Sequence, residues 1–236
     1  MKISVLIIAH NEERYIEECI KSVLNQTLKP DEIVLLAHNC TDKTKEIAER
    51  FPITVVPFSG AFGIINGRFE GLKHVSGEII LCIDGDSVAK NNWVEVMATT
   101  LKNNNNVLVG SWVKFRGTIF GNIYNLFSKY ACFLTQERIT YWIWGASMAF
   151  WGRDIEFVRK VYSNSATLSK QINLPRNPED FWLSLFMSRR GHLEVTNKTW
   201  VKAHTKNSSS IQVIERRIES RHNRDQMRAH FKKITL

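Results

Sequence analysis

The hydrophobic pattern alternates between two periods along the first hundred residues. "ISVLIIA" (residues 3–9) is an unbroken β-rich apolar run, as expected of a strand covered on both faces. "RYIEECIKSVLNQ" then sets Ile16, Ile20, Val23 and Leu24 at helical spacing. "DEIVLLA" (31–37) predicts a second strand, and "CTDKTKEIAERF" a second helix with Thr41 as candidate N-cap. "ITVVPF", "INGRFEGLKHV" and "EIILCI" continue as strand, helix and strand. Short units in this order predict parallel strands joined by right-handed crossovers, half of an open α/β sheet.

Beyond about residue 105 the rhythm changes. "VLVGSWVKFRG" (107–117) reads as strand and "TIFGNIYNLFSKYACFLTQERI" as a helix apolar over much of its surface. "PEDFWLSLFMSRRG" predicts a helix starting near Pro178 and stopping at Gly191. "HLEVT" predicts a short strand and the basic tail a helix. Between Trp112 and Trp151 lie 12 of the chain's 25 aromatic residues, for most of which core packing is expected. The pattern divides one domain, 1–236, into an N-terminal half (1–105), a second half (106–205) and a C-terminal tail (206–236).

Composition adds bounds rather than chemistry. At 236 residues, with 44% hydrophobic and 23% charged positions, the chain suits one globular domain with a proper core. No unbroken apolar run reaches the length of a bilayer span, and "MKISVLIIAHNEER" lacks the features of a secretory leader. Cys19, Cys40, Cys82 and Cys132 are widely spaced without a C-x-x-C pair. They read as thiols in a reducing compartment, so the expected location is cytoplasmic. The net charge of +9 is compatible with nucleic acid, an anionic membrane surface or a phosphate-bearing substrate. From Ile211 onward seven Lys/Arg face three acids, which suits a solvated helix or adhesion to anionic lipid headgroups on the cytosolic side of a membrane.

Open parallel sheets bind ligands beyond the carboxyl ends of their strands. "AHNEE", "AHNCTD" and "DGDS" each follow a strand and so share one rim. No G-x-G-x-x-G follows the first strand and no G-x-x-x-x-G-K-[ST] occurs, which argues against dinucleotide and P-loop sites. Asp84 and Asp86, separated by Gly85, fit a polar D-G turn and equally a hard divalent cation. Their position at the fourth strand's exit favours the cation.

Several segments together carry a resemblance. "SVLIIAHNEERYIEECIKSVLNQTLKPDEIVLLAHNCTDKT", "NGRFEGLKHVSGEIILCIDGD", "WGASMAFWGRD" and "NPEDFWLSLFMSRRGHLEV" fall in the order and spacing of the family 2 glycosyltransferases. The chain resembles that family from about residue 3 to 205. The resemblance implies a GT-A fold: a Rossmann-like, mainly parallel sheet flanked by helices, with a smaller antiparallel portion on the acceptor side. It also implies an inverting enzyme moving a sugar from a nucleotide-sugar, a UDP-sugar ahead of a GDP-sugar, to a hydroxyl of a glycan or lipid-linked acceptor, with a role in cell-envelope or polysaccharide synthesis.

By the same resemblance, His10, Asn11, Glu12, His38, Arg68 and Asp84 would hold the donor. Asp86, with Asp84 and His204, would bind Mg2+ or Mn2+. Asp180 would be the general base with Glu179 supporting it, and Trp144 and Gly145 would meet the acceptor. Each has a plainer reading as well. Acids at a helix start complement its dipole, Arg68 suits a solvated helix face, and His204 an ordinary loop. One departure is clear: Ala37 stands where the family's second strand usually ends in Asp, and His38 follows it. A sugar nucleotidyltransferase and a basic nucleic-acid-binding protein are the alternative classes, although no recognition motif for nucleic acid is present. A catalytically inactive family member is a further alternative.

Overall fold

The computed structural model describes residues 1–61, 63–103, 105–116, 143–174, 177–204 and 225–234. Strand β1 (Ile3–Ala9) is buried at every position. Ile3, Val5, Ile7 and Ala9 join one apolar layer while Leu6 and Ile8 join the other, the two-residue alternation of a strand covered on both faces. β1 pairs in parallel with β2 (Glu32–His38) and β4 (Ile79–Asp84), and β2 with β3 (Thr54–Phe58). β7 (Ser147–Trp151) runs antiparallel between β4 and β6 (Asn106–Arg116). β8 (His192–His204) lies parallel to β6, and β5 (Ser87–Ala89) pairs antiparallel to it. The eight strands follow the order β3-β2-β1-β4-β7-β6-β8-β5. This is the expected parallel sheet with an antiparallel addition.

Helices α1 (Ile16–Leu24) and α4 (Trp93–Lys102) pack on one face, with α2 (Thr44–Ala48) burying Ala48 in the same layer. Helices α3 (Ile64–Gly71), α5 (Ile155–Gln171) and α6 (Glu179–Met187) cover the other. The two largest fully buried side chains, Trp93 and Trp182, give their indole N–H groups to Ser147 Oγ and Ser169 Oγ, both at 2.9 Å. Each buried ring contributes about 2–3 kcal/mol without leaving a donor unpaired.

At the sheet's amino end Glu32 of β2 ties β1 to the approach to β4. Its carboxylate accepts from the Ser4 hydroxyl, from Ser76 N–H (2.8 Å) and Oγ (2.9 Å), and from Lys2 Nζ (3.1 Å). Burial works against the charge, but these donors prevail and bring the carboxyl down to about 2.

Part of the tail is also fastened to the core. Residues 225–231 are helical, Met227 is fully buried, and Phe231 stands edge-on to Phe186 at 5.0 Å. Arg189 donates to the carbonyls of Phe231 (2.7 Å) and Ile234 (2.8 Å), and Arg228 lies over the Phe181 ring. Lys232 and Lys233 are exposed. The predicted helix at 118–139, Trp142, Cys132, and Arg216, Arg217, Arg221 and Arg224 lie outside the described residues. Cys19, Cys40 and Cys82 are free thiols, and no helix among the described residues is long and apolar enough to cross a membrane.

Candidate functional site

The rim is shaped by residues that leave the strands in unusual backbone conformations. Asn11 (φ 55°) and Asn39 (φ 49°) follow β1 and β2 in the left-handed region, where asparagine is tolerated better than most side chains. Their carboxamides stitch neighbouring loops together. Asn11 Oδ1 accepts Thr41 N–H at 2.8 Å, and Asn39 exchanges two hydrogen bonds with the Gly60 backbone, at 2.9 and 3.0 Å. His10 Nδ1 donates to the His38 carbonyl at 2.8 Å, which fixes that ring above β2.

His38 is buried, within 5.5 Å of the Phe58 ring, with Nε2 donating to the Ala61 carbonyl at 3.0 Å. Burial lowers its pKa, so the neutral ring is favoured. Glu12 is buried too. Its N–H donates to Thr44 Oγ1 at 2.7 Å, and its carbonyl accepts the first two N–H groups of the α1 turn.

The two aspartates part company at the end of β4. Gly85 N–H donates to the Ile8 carbonyl at 2.8 Å, and a Cβ there would approach Ala9 Cβ to 2.9 Å and the Ile8 carbonyl to 3.2 Å, so the end of β1 leaves little room for a side chain. Asp84 closes β4 and gives Oδ1 to Arg68 Nη2 at 3.0 Å. Asp86 Oδ1 accepts from Ser87 Oγ at 3.2 Å, and the Asp86 carbonyl accepts His204 N–H at 3.2 Å. The His204 ring stacks on Tyr15, centroids 4.2 Å apart. Asp86 and His204 are therefore neighbours, with His204 closing a strand rather than floating in a loop. Tyr15, which holds that ring, was not singled out from the sequence; only its place one turn after the β1 exit pointed to the rim.

Arg68 joins the two halves of the chain. Its guanidinium, 3% exposed, reaches Asp84 Oδ1 and Glu179 Oε1, each at 3.0 Å. Burial alone would lower its pKa, but the carboxyls of Asp84, Glu179 and Asp180 raise it and hold the charge. Glu179 opens α6. Burial, with Asp180 beside it, pushes its carboxyl up to about 7 against the pull of Arg68. Asn177 fastens the approach to α6 through hydrogen bonds of 2.9 Å with the hydroxyls of Ser165 and Ser169. Trp144 and Gly145 form the turn entering β7, closed by Ser147 N–H to the Trp144 carbonyl at 3.0 Å, and Gly145 packs directly against the Arg68 guanidinium. Asp84, Arg68, Glu179 and Gly145 thus converge at one point of the rim. His10, Asn11 and His38 form the β1–β2 side of it.

The chemistry of this set suits phosphate and sugar transfer, and comparison with known proteins gives it a family. The glycosyl transferase family 2 profile matches residues 4–162. The chain belongs to that family. Membership favours the glycosyltransferase family over the nucleotidyltransferase and nucleic-acid-binding classes that the sequence left open. A glucosyl-dolichyl phosphate glucuronosyltransferase of Haloferax volcanii is 26% identical over 181 residues, covering 74% of this chain and 54% of that protein. An uncharacterized glycosyltransferase of Haemophilus influenzae is 32% identical over 118 residues, covering 48% and 36%. The chain therefore spans about half or less of these two relatives.

Among solved structures, S. aureus TarS 1-349 in complex with UDP superimposes with a TM-score of 0.60 at 18% identity, covering 87% of this chain and 61% of that one. Glucosyl-3-phosphoglycerate synthase from Mycobacterium tuberculosis, in complex with Mn2+, UDP and phosphoglyceric acid, gives 0.57 at 20%, covering 98% and 78%. These likenesses establish the GT-A fold.

Proposed function

We propose that this family 2 domain transfers a sugar from a nucleotide-sugar, a UDP-sugar ahead of a GDP-sugar, to a hydroxyl of a glycan or lipid-linked acceptor with inversion at the anomeric carbon. Residues 1–105 would hold the donor and residues 106–205 the acceptor. One observation supports this above the others. The buried Arg68 binds Asp84, 16 positions away, and Glu179, 111 positions away, so the end of β4 and the first residue of α6 meet on one guanidinium.

In this reading Asp180 takes the proton from the acceptor hydroxyl as that oxygen bonds to the anomeric carbon. The bond to the diphosphate oxygen breaks on the opposite side, and its electron pair leaves with the nucleotide. Glu179, held by Arg68, orients the turn that carries Asp180. His10, Asn11, Glu12 and His38 border the nucleotide, and Trp144 the acceptor. For a lipid-linked acceptor, exposed Lys232 and Lys233 would lie against anionic headgroups.

The donor set also fits a divalent cation. Carboxylates and one imidazole suit Mg2+ or Mn2+, which need only one or two carboxylates besides substrate phosphates. Asp86 and His204 are the better placed, since Asp84 Oδ1 is already given to Arg68. Among the described residues no three of His, Cys, Asp and Glu form a ready cage. When bound, the ion would neutralise charge on the departing diphosphate.

The test is Asp86→Asn. It should abolish transfer while leaving the unfolding temperature unchanged, and chelation should silence the wild type. Normal turnover by the variant would refute the reading. Screening UDP, GDP, dTDP and CMP with manganese by thermal shift identifies the donor, because a ligand of the folded state raises its stability.

A further inference from the structure

Helix α1 presents one stripe of side chains to the aspartate turn. Tyr15, Cys19 and Ser22 are spaced four and three residues apart, so they share a face of the helix. Ser22 Oγ accepts the Ala89 N–H of β5 at 3.1 Å, and Cys19 Sγ donates to the Asp84 carbonyl at 3.6 Å. Tyr15, at the head of the stripe, lays its ring on that of His204. The stripe therefore runs beside β5, the end of β4 and the end of β8, the three elements that meet around Asp86.

Neither the helix nor the core accounts for a tyrosine at this position. Tyr15 is the N-cap of α1, yet among the described residues it makes no side-chain cap hydrogen bond. Serine, threonine, aspartate or asparagine there would satisfy an N–H of the first turn. Tyr15 and His204 are both half-buried, whereas Ile16, Ile20 and Val23 are the residues by which α1 enters the core. What the ring does make is a stack: its plane lies 26° from that of the imidazole, with centroids 4.2 Å apart. A stack covers a face of the imidazole and restricts its rotation, while the nitrogens lie on the ring's perimeter. The main chain restrains His204 as well. The pairing of Ser87 with Ala203 is continued by His204 N–H donating to the Asp86 carbonyl at 3.2 Å, so His204 and Asp86 stand opposite each other at the end of the ladder. An imidazole that binds a metal depends on neighbours that fix its ring in this way.

We propose that Tyr15 is a positioning residue for the cation: the face of its ring sets the orientation in which His204 joins Asp86 as a ligand. The aromatic ring carries this role and the hydroxyl does not. The inference rests on the reading of Asp86 and His204 as the residues that hold the ion, and adds to them a side chain that touches neither ion nor substrate. Tyr15 N–H also donates to the Glu12 carbonyl at 2.8 Å, so the same residue ties the nucleotide side of the rim to the metal side.

The experiment uses the full chain and titrates Mn2+ alone and Mn2+ with UDP, reading free Mn2+ by electron paramagnetic resonance. Tyr15→Phe should match the wild type within about twofold. Tyr15→Leu should weaken Mn2+ binding about tenfold, while UDP affinity measured without metal stays within about twofold. Tyr15→Met, flexible and without a planar face, should behave as Tyr15→Leu does and replaces it if leucine prevents folding. In the double variant Tyr15→Leu/His204→Ala the loss should equal that of His204→Ala alone, because a ring that acts only through His204 then has nothing to orient. Wild-type Mn2+ affinity in the leucine and methionine variants, or additive losses in the double variant, would overturn the proposal. Parallel losses of Mn2+ binding and metal-free UDP binding would overturn it too, since a purely structural tyrosine gives that result. Normal Mn2+ binding by His204→Ala would do the same by removing the histidine from the ligands. No Mn2+ binding by the wild type in the presence of UDP would instead overturn the metal reading itself, and this inference with it.

Discussion

A Cβ on residue 145 would lie 2.2 Å from Arg68 Cζ, so Gly145 exists to seat the guanidinium that joins Asp84 to Glu179. Gly145→Ala must move either the turn before β7 or the arginine. A shift of about 1 Å at a reacting centre costs on the order of 100-fold in rate. The expected result is a kcat reduced by about that factor, with a stability loss of about 1–3 kcal/mol from overpacking. Steady-state kinetics with thermal unfolding of the same sample separates the two effects. Undiminished kcat would show that Arg68 can leave its seat without consequence.

Arg68 also cannot be replaced by another cation. Two carboxylates are held by two different nitrogens, Nη1 and Nη2, of one planar group. Lysine offers a point charge on a flexible stem and cannot span both. Arg68→Lys should therefore keep most of the stability, since the buried charge remains paired, yet lose transfer. Arg68→Met should lose both, by about 3 kcal/mol in stability, because it leaves two carboxylates uncompensated. Chemical denaturation of the two variants distinguishes them.

Glu179 gives the pH dependence a definite origin. Its carboxyl is pushed up to about 7 by burial and by Asp180, so it changes charge within the neutral range. As pH rises through about 7 it ionises and its bond to Arg68 becomes a full ion pair. The pH–rate profile should bend there, rising on the alkaline side. In Glu179→Gln that inflection should vanish while other limbs remain. An unchanged profile would remove Glu179 from the account.

The contrast between what the chain announces and what it hides follows from distance. β1, β2, β3 and β4 are continuous apolar runs between turn residues, and each lies within a residue or two of its predicted place. The rim followed, because the end of a parallel strand is a local fact. α4 and α5 were not predicted. α5 turns Val158, Val161, Tyr162, Ser165, Leu168 and Ser169 inward, and its serines disguise the apolar stripe. β8 extends well past "HLEVT" because β6 and β5 supply partners for its polar residues, and a register shift after Thr196 absorbs the mismatch. The Arg68–Glu179 bond spans 111 positions and leaves no periodic trace. The resemblance assigns Arg68 to the donor phosphates, and nothing in the sequence announces that its guanidinium also lies buried between Asp84 and Glu179.

The docked end of the tail should be structural. Met227 is fully buried among residues of α5 and α6, while Arg189 caps the last carbonyls of the segment. Met227→Ala should cost about 2–5 kcal/mol, as for other buried large-to-small changes. Lys232→Gln with Lys233→Gln, on exposed positions, should cost under about 0.5 kcal/mol. Equal unfolding midpoints for all of these chains would mean that the segment does not stay docked in solution.

Glu32 makes the fold sensitive to acid at the end of the sheet remote from the rim. Its folded carboxyl titrates at about 2 against an ordinary 4.5. The stabilisation is therefore complete above about pH 4.5 and lost as pH falls towards 2. The difference is worth about 3 kcal/mol at neutral pH. Glu32→Gln should accordingly unfold more easily than the wild type at pH 7, with the gap closing between about pH 4.5 and 2. Ser4→Ala, which removes one donor and keeps the charge, should show a smaller gap over the same window. Urea unfolding across that range measures both. A gap that does not vary with pH would mean that Glu32 acts through packing, and that the hydrogen-bonded charge joining β1, β2 and the approach to β4 is not what holds their amino ends together.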